Sequence, residues 1–256
     1  MNLSVAGGSF MRYLITFSYD GSNYSGYQKQ RQKCTIQYVI EQALTKINQN
    51  NSVVICASGR TDAHVHALGQ KAHFDLNVSI LPFQLQKALN SLLPNDIYIR
   101  EVETVPHSFH ARYDVKLKEY MYIINIGEYN PMERNYVYQY NKPLDIEAMK
   151  EAVQFFIGTH NFKSFTKSDL TRTDYIRSVT DASVYVDYNN TNHIVVSFLG
   201  TGFLRYMVRN MVGILIEIGE GKRNCSDISI ILASEDRTKA GKTAPPEGLY
   251  LKNVFY

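Results

Sequence analysis

The order of periodic segments in the first half of the chain restricts its fold more than any other feature. "RYLITFSYDG" alternates like a half-buried strand, and "TIQYVIEQALTKIN" carries apolar residues at helical spacing behind Thr35, which is placed to cap a helix. Two short strands, "SVVICAS" and "QKAHFDLNV", then precede a helix, "LPFQLQKALNSLL", and a strand, "PNDIYIREVETV". The order β-α-β-β-α-β predicts a ferredoxin-like unit.

The second half repeats this theme loosely. A strand, "KLKEYMYIINIG", a helix, "LDIEAMKEAVQFFIG", a hairpin with an Asn-rich turn, two helices and a last strand, "LYLKNVFY", follow one another. No linker rich in Pro, Gly or Ser separates the halves. We therefore predict an α+β fold in which two ferredoxin-like halves, residues 11–112 and 113–256, share a largely antiparallel central sheet flanked by helices. Residues 1–10 are expected to form a disordered extension.

Composition excludes several classes of protein. Hydrophobic residues make up 45% and charged residues 20% of the 256 residues, as in ordinary globular proteins. Three widely spaced cysteines give no zinc ribbon or disulfide framework, and no stretch approaches the roughly 20 apolar residues of a membrane span. These features favour a cytoplasmic protein without a membrane segment. Because the formal charge is only +3, a nucleic-acid surface requires local clusters of basic residues.

The stretch "GRTDAHVHALGQ" allows three interpretations. Asp62 follows a short strand, where an aspartate often only hydrogen-bonds its own turn, or where a loop can present a reactive group. A metal site would use His64, His66 and His73, but an H-x-H pair needs a third ligand and an orienting second shell, and no H-E-x-x-H or Cys/His grouping supplies them. We therefore predict no metal site.

A nearly all-apolar helix is predicted from Phe203 to Ile218, and it carries Arg205 and Arg209 one turn apart. A buried guanidinium needs an anionic partner, since an unpaired buried charge is costly. Either both arginines lie at the rim in water, or one pairs with Asp62 while the other is left for phosphate. In the second case the arginine is expected to lower the pKa of Asp62 and keep it ionised.

Basic residues alternate with aromatic ones in "FHARYDVKLKEYMY", which contains Arg112, Lys118 and Tyr120. Such a pattern can hold phosphates while it stacks a base, although a half-exposed strand has the same appearance. "SDLTRTDYIRSV" adds Arg172 and Arg177. If these segments come together, they form a broad basic groove.

Five stretches in order resemble the TruA-type tRNA pseudouridine synthases, over residues 12–256. They are "YDGSNYSGYQKQ", "GRTDAHVHALGQ", "FHARYDVKLKEYMY", "FLRYMVRNMVG" and "TAPPEGLYL". The resemblance implies the pseudouridine synthase fold. It also implies a homodimer that converts uridine to pseudouridine at positions 38 to 40 of the tRNA anticodon stem-loop, without a cofactor.

The resemblance also implies roles for individual residues. The essential aspartate falls on Asp62, the active-site tyrosine on Tyr120 and the helical arginine that pairs with the aspartate on Arg209. The further residues expected to contact the substrate are Arg60, which helps to displace the base, an apolar pocket residue at Leu249 or Leu251, and His66, Arg112, Lys118, Arg172 and Arg205.

Two positions depart from the family pattern. His64 stands where the family usually has Gly, and Tyr27 stands where it usually has Trp. A Gly in a turn often marks a positive φ, which His adopts only with some strain. The alternative to an active enzyme is therefore a tRNA-binding protein, or a paralogue with altered site or substrate specificity. The residues also leave open whether Asp62 attacks the sugar or the base.

Overall fold

The computed structural model describes residues 10–167 and 173–256. Within these ranges the strands are β1 (Met11–Tyr19), β2 (Cys56–Ala57), β3 (His66–Leu76), β4 (Ile97–Thr104), β5 (Leu117–Asn125), β6 (Tyr138–Gln139), β7 (Gly158–Asn161), β8 (Ile176–Asp187), β9 (Asn190–Gly200) and β10 (Leu249–Phe255). The helices are α1 (Ile36–Ile47), α2 (Pro82–Leu92), α3 (Ile146–Val153), α4 (Met207–Gly219) and α5 (Asp227–Ser234).

The strands form one sheet in the order β4-β1-β3-β10-β5-β9-β8-β7, with β2 beside β3 and β6 beside β5. Only the β10–β3 and β5–β6 pairs are parallel. The predicted α+β fold with a largely antiparallel sheet is therefore confirmed, as is the β-α-β-β-α-β order of the first half.

The last strand joins the two halves of the molecule. In β10, Leu251 pairs with Ala67 of β3 on one side and with Tyr120 of β5 on the other. The sheet is thus continuous, as the missing linker predicted. The boundary between residues 112 and 113 stays a prediction, and residues 1–9 of the expected extension lie outside the described ranges.

A single hydrophobic core runs through both halves. Alternate residues of β1, namely Tyr13, Ile15 and Phe17, are fully buried and belong to the same cluster as the inward side chains of α1, α2 and α4. Burying a large apolar side chain stabilises the fold by about 1.5–3 kcal/mol. The helices in the described ranges lack the combination of length and apolar character that crossing a membrane requires.

Three predicted elements differ from the structure. Helix α4 begins at Met207 rather than at Phe203, because Tyr206 has a left-handed backbone with φ of 64° that no right-handed helix can contain. Thr35 precedes α1 as predicted, but its hydroxyl makes no capping hydrogen bond. Strand β2 has only two residues, because only Cys56 and Ala57 pair with β3.

Helix α4 packs closely on the segment that precedes β10. A Cβ atom added to Gly213 would lie 1.9 Å from the carbonyl oxygen of Lys242. One turn earlier, the carbonyl of Arg209 accepts a 3.0 Å hydrogen bond from the amide of Ala244. The missing side chain at Gly213 therefore lets the helix and this segment approach each other.

Gly213→Ala is expected to lower the free energy of unfolding by about 3 kcal/mol, because the overpacking outweighs the roughly 1 kcal/mol gain in helix propensity. Gly221→Ala is the control, since that position has a positive φ but open space around it and should cost only about 1–2 kcal/mol. Urea unfolding measures both values. Equal losses would mean that the close approach of helix and segment is unimportant.

Candidate active site

The loop that carries Asp62 is fixed by the first half of the chain. The carbonyl of Thr61 accepts a 3.1 Å hydrogen bond from the amide of Tyr27, and the hydroxyl of Thr61 lies 2.7 Å from the hydroxyl of Tyr19. Gly26, at φ of 91°, lies so close that an added Cβ would be 2.9 Å from the carbonyl oxygen of Thr61. The "YDGSNYSGYQKQ" segment is thus the support on which the Asp62 loop rests.

The Asp62 carboxylate lies between two guanidinium groups from the second half. Arg205 Nε is 3.6 Å from Oδ1 and Arg209 Nη1 is 3.7 Å from Oδ2. Arg209 is held from behind, since its Nε donates a 2.7 Å hydrogen bond to the carbonyl of Ala244. The sequence left open whether both arginines lie at the rim in water or one pairs with Asp62 while the other is left for phosphate, whereas the structure brings both to the carboxylate.

Burial raises the pKa of Asp62 above its ordinary value, although Arg209, Arg205 and Arg60 act in the opposite direction. The neighbouring arginines do act to lower this pKa, as expected, but burial outweighs them and the net shift is upward. Both ion pairs are longer than the roughly 2.7–2.9 Å of a charge-assisted hydrogen bond. They therefore offset only part of the free energy that the carboxylate loses when it is removed from water.

Tyr120 lies beside this carboxylate at the junction of the two halves. It is on β5, only 8% exposed, with its ring 5.1 Å from the ring of Phe203 in an edge-to-face contact. Burial and the charges of Tyr19 and Asp62 raise the pKa of its phenol, so the hydroxyl keeps its proton. Of the two predicted leucines, Leu249 borders the cleft, whereas Leu251 is fully buried.

These residues line a cleft of about 840 Å³ that is strongly basic. Asp62 is the one carboxylate among its described lining residues, against the cations Lys33, Arg60, Arg112, Lys118, Arg177, Arg205 and Arg209. Burial, with the charges of Arg112 and Arg177, lowers the pKa of Lys118 to about 8, and its Nζ donates a 2.7 Å hydrogen bond to the carbonyl of Ser58.

Most of the predicted basic contacts therefore meet in one place. Arg60, Arg112, Lys118 and Arg205 all line the cleft. Arg177 lines it as well, although the sequence placed it only in the wider basic groove. Arg172 lies outside the described residues.

His66 does not line this cleft. It is 1% exposed, its Nδ1 accepts a 3.1 Å hydrogen bond from the amide of Gly21, and its Nε2 donates a 2.8 Å hydrogen bond to the carbonyl of Asn135. Since both ring nitrogens are occupied, its position does not support the expected contact with substrate. The histidine instead ties together two surface loops.

The two departures from the family pattern both border the cleft. His64 has φ of 65°, which confirms the positive φ inferred from the usual glycine, and its Nδ1 donates a 2.7 Å hydrogen bond to the carbonyl of Ser22. Tyr27 is 2% exposed, and its hydroxyl has no hydrogen-bond partner among the described residues. The Tyr27 hydroxyl is therefore buried beside the cleft without a hydrogen bond to any described residue.

A second cluster contains three side chains that commonly bind metals. Ligand atoms of Cys56, His73 and His110 lie within 4.8 Å of one another. However, Nδ1 of His73 accepts the amide hydrogen of Ala111, and Nδ1 of His110 accepts that of Arg112. In each neutral imidazole the proton then sits on Nε2, where a metal would have to bind.

This cluster therefore acts as a support for the turn that presents Arg112 to the cleft. Sequence reasoning singled out His73 but did not group it with Cys56 and His110, because the three residues are far apart in the chain. The trio that was weighed as a metal site, His64, His66 and His73, does not form a cluster of ligand atoms among the described residues.

Asp62→Asn is expected to raise the free energy of unfolding at pH 7, because a raised pKa means that the folded protein disfavours the charged carboxylate. In the wild type, stability falls as pH rises from 3.8, the ordinary value, through the higher folded value. The advantage of the variant should therefore disappear below pH 3.8. Urea unfolding across this pH range tests it; an amide variant less stable at pH 7 would show that the arginines outweigh burial.

Comparison with known proteins identifies the family of this chain. The family model for tRNA pseudouridine synthase matches residues 15–114 and 152–256. Relatives named tRNA pseudouridine synthase A from Anoxybacillus flavithermus and Geobacillus sp. are each 44% identical, over 96% of this chain and 98% of their own length. One from Streptococcus agalactiae is 44% identical over 96% of this chain and 95% of its own.

Among solved structures, a Cbf5–Nop10–Gar1 complex overlaps 79% of this chain and 54% of its own, with 13% identity and a TM-score of 0.32. That TM-score is too low to support a structural comparison of the two proteins. The sequence relatives and the family match extend over both halves and include the Asp62 loop and α4. The chain therefore belongs to the tRNA pseudouridine synthase family, which consists of isomerases that act on uridine in tRNA.

Proposed function

We propose that the chain converts uridine to pseudouridine at positions 38 to 40 of the tRNA anticodon stem-loop, with Asp62 as the essential group. The observation that carries the catalytic assignment is the Asp62 carboxylate, which is held between Arg205 and Arg209 and is the one acid lining the cleft in the described chain. The choice of positions rests on the resemblance of the five motifs.

The chemistry of the reaction fits a single carboxylate. The bond from C1′ of the ribose to N1 of uracil breaks, the base turns, and a bond from C1′ to C5 forms. The C5 proton leaves and N1 gains one, so the composition is unchanged. Asp62 acts either as a nucleophile on the sugar or base, or by charge and proton removal.

The other cleft residues have roles that follow from their positions. Uridine has to leave its stack, which costs a few kcal/mol, and Arg60 at the exposed end of the Asp62 loop is placed to fill the gap. Tyr120 and Leu249 form the apolar side of the pocket and keep water from the opened glycosidic bond. Arg112 and Lys118 line the same cleft, and we assign them to phosphate contacts with the tRNA.

Asp62→Ala is expected to reduce the release of tritium from tRNA labelled at C5 of uridine by more than about 100-fold, since the reaction loses its one carboxylate. Asp181→Asn, an exposed change on β8, serves as the control and should behave as wild type. Equal release by the wild type and Asp62→Ala would exclude the assignment. Binding of tRNA without tritium release by the wild type would instead favour a tRNA-binding protein.

Pseudouridine mapping tests the choice of site. In tRNA from cells that lack this protein, the modification is expected to disappear at positions 38 to 40 and to persist elsewhere. Restoring the wild-type gene, but not Asp62→Ala, should return it. Loss at other positions only would show that His64 and Tyr27 accompany a different site specificity.

We also propose that the protein is a cytoplasmic homodimer, as the family resemblance implies. Sedimentation equilibrium at micromolar concentration is expected to give twice the 29.3 kDa chain mass. A single species at 29.3 kDa across the concentration range would rule the dimer out.

A further inference from the structure

Tyr206 combines two unusual features at the edge of the cleft. It has φ of 64° and ψ of 0°, and it directly precedes α4. A left-handed backbone is tolerated by Gly, Asn and Asp, whereas a bulky aromatic residue with this geometry is a true outlier. Such strained residues persist where the surrounding structure holds them, and they concentrate at functional sites.

Hydrogen bonds from neighbouring segments hold this conformation. The carbonyl of Arg205 accepts a 2.9 Å hydrogen bond from the hydroxyl of Thr166, and the carbonyl of Tyr206 accepts a 2.9 Å bond from the amide of Asn210. The amide of Met207 donates a 3.1 Å bond to the carbonyl of Leu204. The backbone on both sides of Tyr206 is therefore fixed, and relaxation to an ordinary conformation would break these contacts.

The ring of Tyr206 lies against both arginines that face Asp62. Arg205 Cζ is 5.0 Å and Arg209 Cζ is 5.1 Å from the ring centroid, which are cation–π distances. Arg205 is 60% exposed, and its described side-chain contacts are Tyr206 and Asp62. Without the ring, this long side chain would be free to move into water.

We propose that Tyr206 is a positioning residue whose ring aligns Arg205 and Arg209 on the Asp62 carboxylate. The two guanidinium groups repel each other, and an aromatic ring that attracts both reduces this repulsion. Because Tyr206 has a left-handed backbone, its ring can contact both Arg205, which precedes α4, and Arg209, which lies within it. This proposal rests on the proposed function only in assigning a catalytic role to Asp62.

Three variants separate the ring from the backbone strain. Tyr206→Phe keeps the ring. Tyr206→Asn removes it and places at this position a residue that tolerates a left-handed backbone. Glu235→Asn is the matched control, since Glu235 has φ of 50° at the exposed end of α5 and lies outside the cleft.

The activity measurement compares kcat/KM for tritium release as a function of pH. Tyr206→Asn is expected to lower kcat/KM by about 10- to 100-fold through misplacement of the arginines, and to move the acid limb of the pH profile upward. Tyr206→Phe should keep both kcat/KM and the acid limb of the pH profile at the wild-type values, and Glu235→Asn should do the same. If Tyr206→Asn has the wild-type profile, or if Tyr206→Phe loses as much as Tyr206→Asn, the proposal fails.

A second measurement, the pKa of Asp62, does not depend on catalytic activity. Carbon-13 NMR of labelled aspartate gives the pKa of the Asp62 carboxyl group, identified by its loss in Asp62→Asn. This pKa is expected to rise in Tyr206→Asn and to stay at the wild-type value in Tyr206→Phe, whether or not the protein modifies tRNA. An unchanged value in Tyr206→Asn would overturn the positioning role, whereas absent tritium release by the wild type would overturn only the proposed function.

Folding is checked on the same samples. Since Asn removes the backbone strain, Tyr206→Asn is expected to be at least as stable as the wild type in urea unfolding below pH 3.8, where the pKa of Asp62 no longer affects stability. A merely structural residue would lose stability and activity together. Lower stability in proportion to the lost activity would therefore contradict the proposal.

Discussion

A carboxylate that has lost most of its water has to be held between two guanidinium groups, and much of the structure serves this requirement. Asp62 comes from the first half of the chain and Arg209 from the second. The two meet because β10 crosses between β3 and β5 and makes the sheet continuous. The segment before β10 also holds Arg209 through the carbonyl of Ala244. Strand β10 thus fixes the junction of the halves, and the segment before it fixes the position of Arg209 in the ion pair.

Several unfavourable features lie around this cleft. Burial raises the pKa of Asp62, His64 and Tyr206 have left-handed backbones, and the Tyr27 hydroxyl lacks a described partner. Each of these lowers stability, and each lies next to the Asp62 carboxylate. The continuous hydrophobic core under the sheet offsets them. An environment that disfavours the charge of Asp62 is also one in which that charge interacts strongly with other charged or polar groups in the cleft.

The sequence predicted the strand and helix order of the first half and the longer elements of the second, because alternation and helical spacing are local signals that survive folding, but the short strands β6 and β7 were not predicted. It also predicted the positive φ of His64 and the meeting of Asp62 with Arg209. It failed where several distant residues share one environment. The start of α4 was misplaced, since apolar composition does not show that Tyr206 is left-handed. His66 was assigned to the substrate, although its partners Gly21 and Asn135 are visible only in three dimensions.

The sequence by itself determined the α+β architecture and the family, because each depends on residue type and spacing along the chain. The tertiary structure alone decided that both arginines face Asp62, that burial outweighs them in setting its pKa, and that Cys56, His73 and His110 support the turn of Arg112. The physical reason is that hydration, ion-pair length and the tautomer of a histidine depend on distances between atoms that are far apart in sequence.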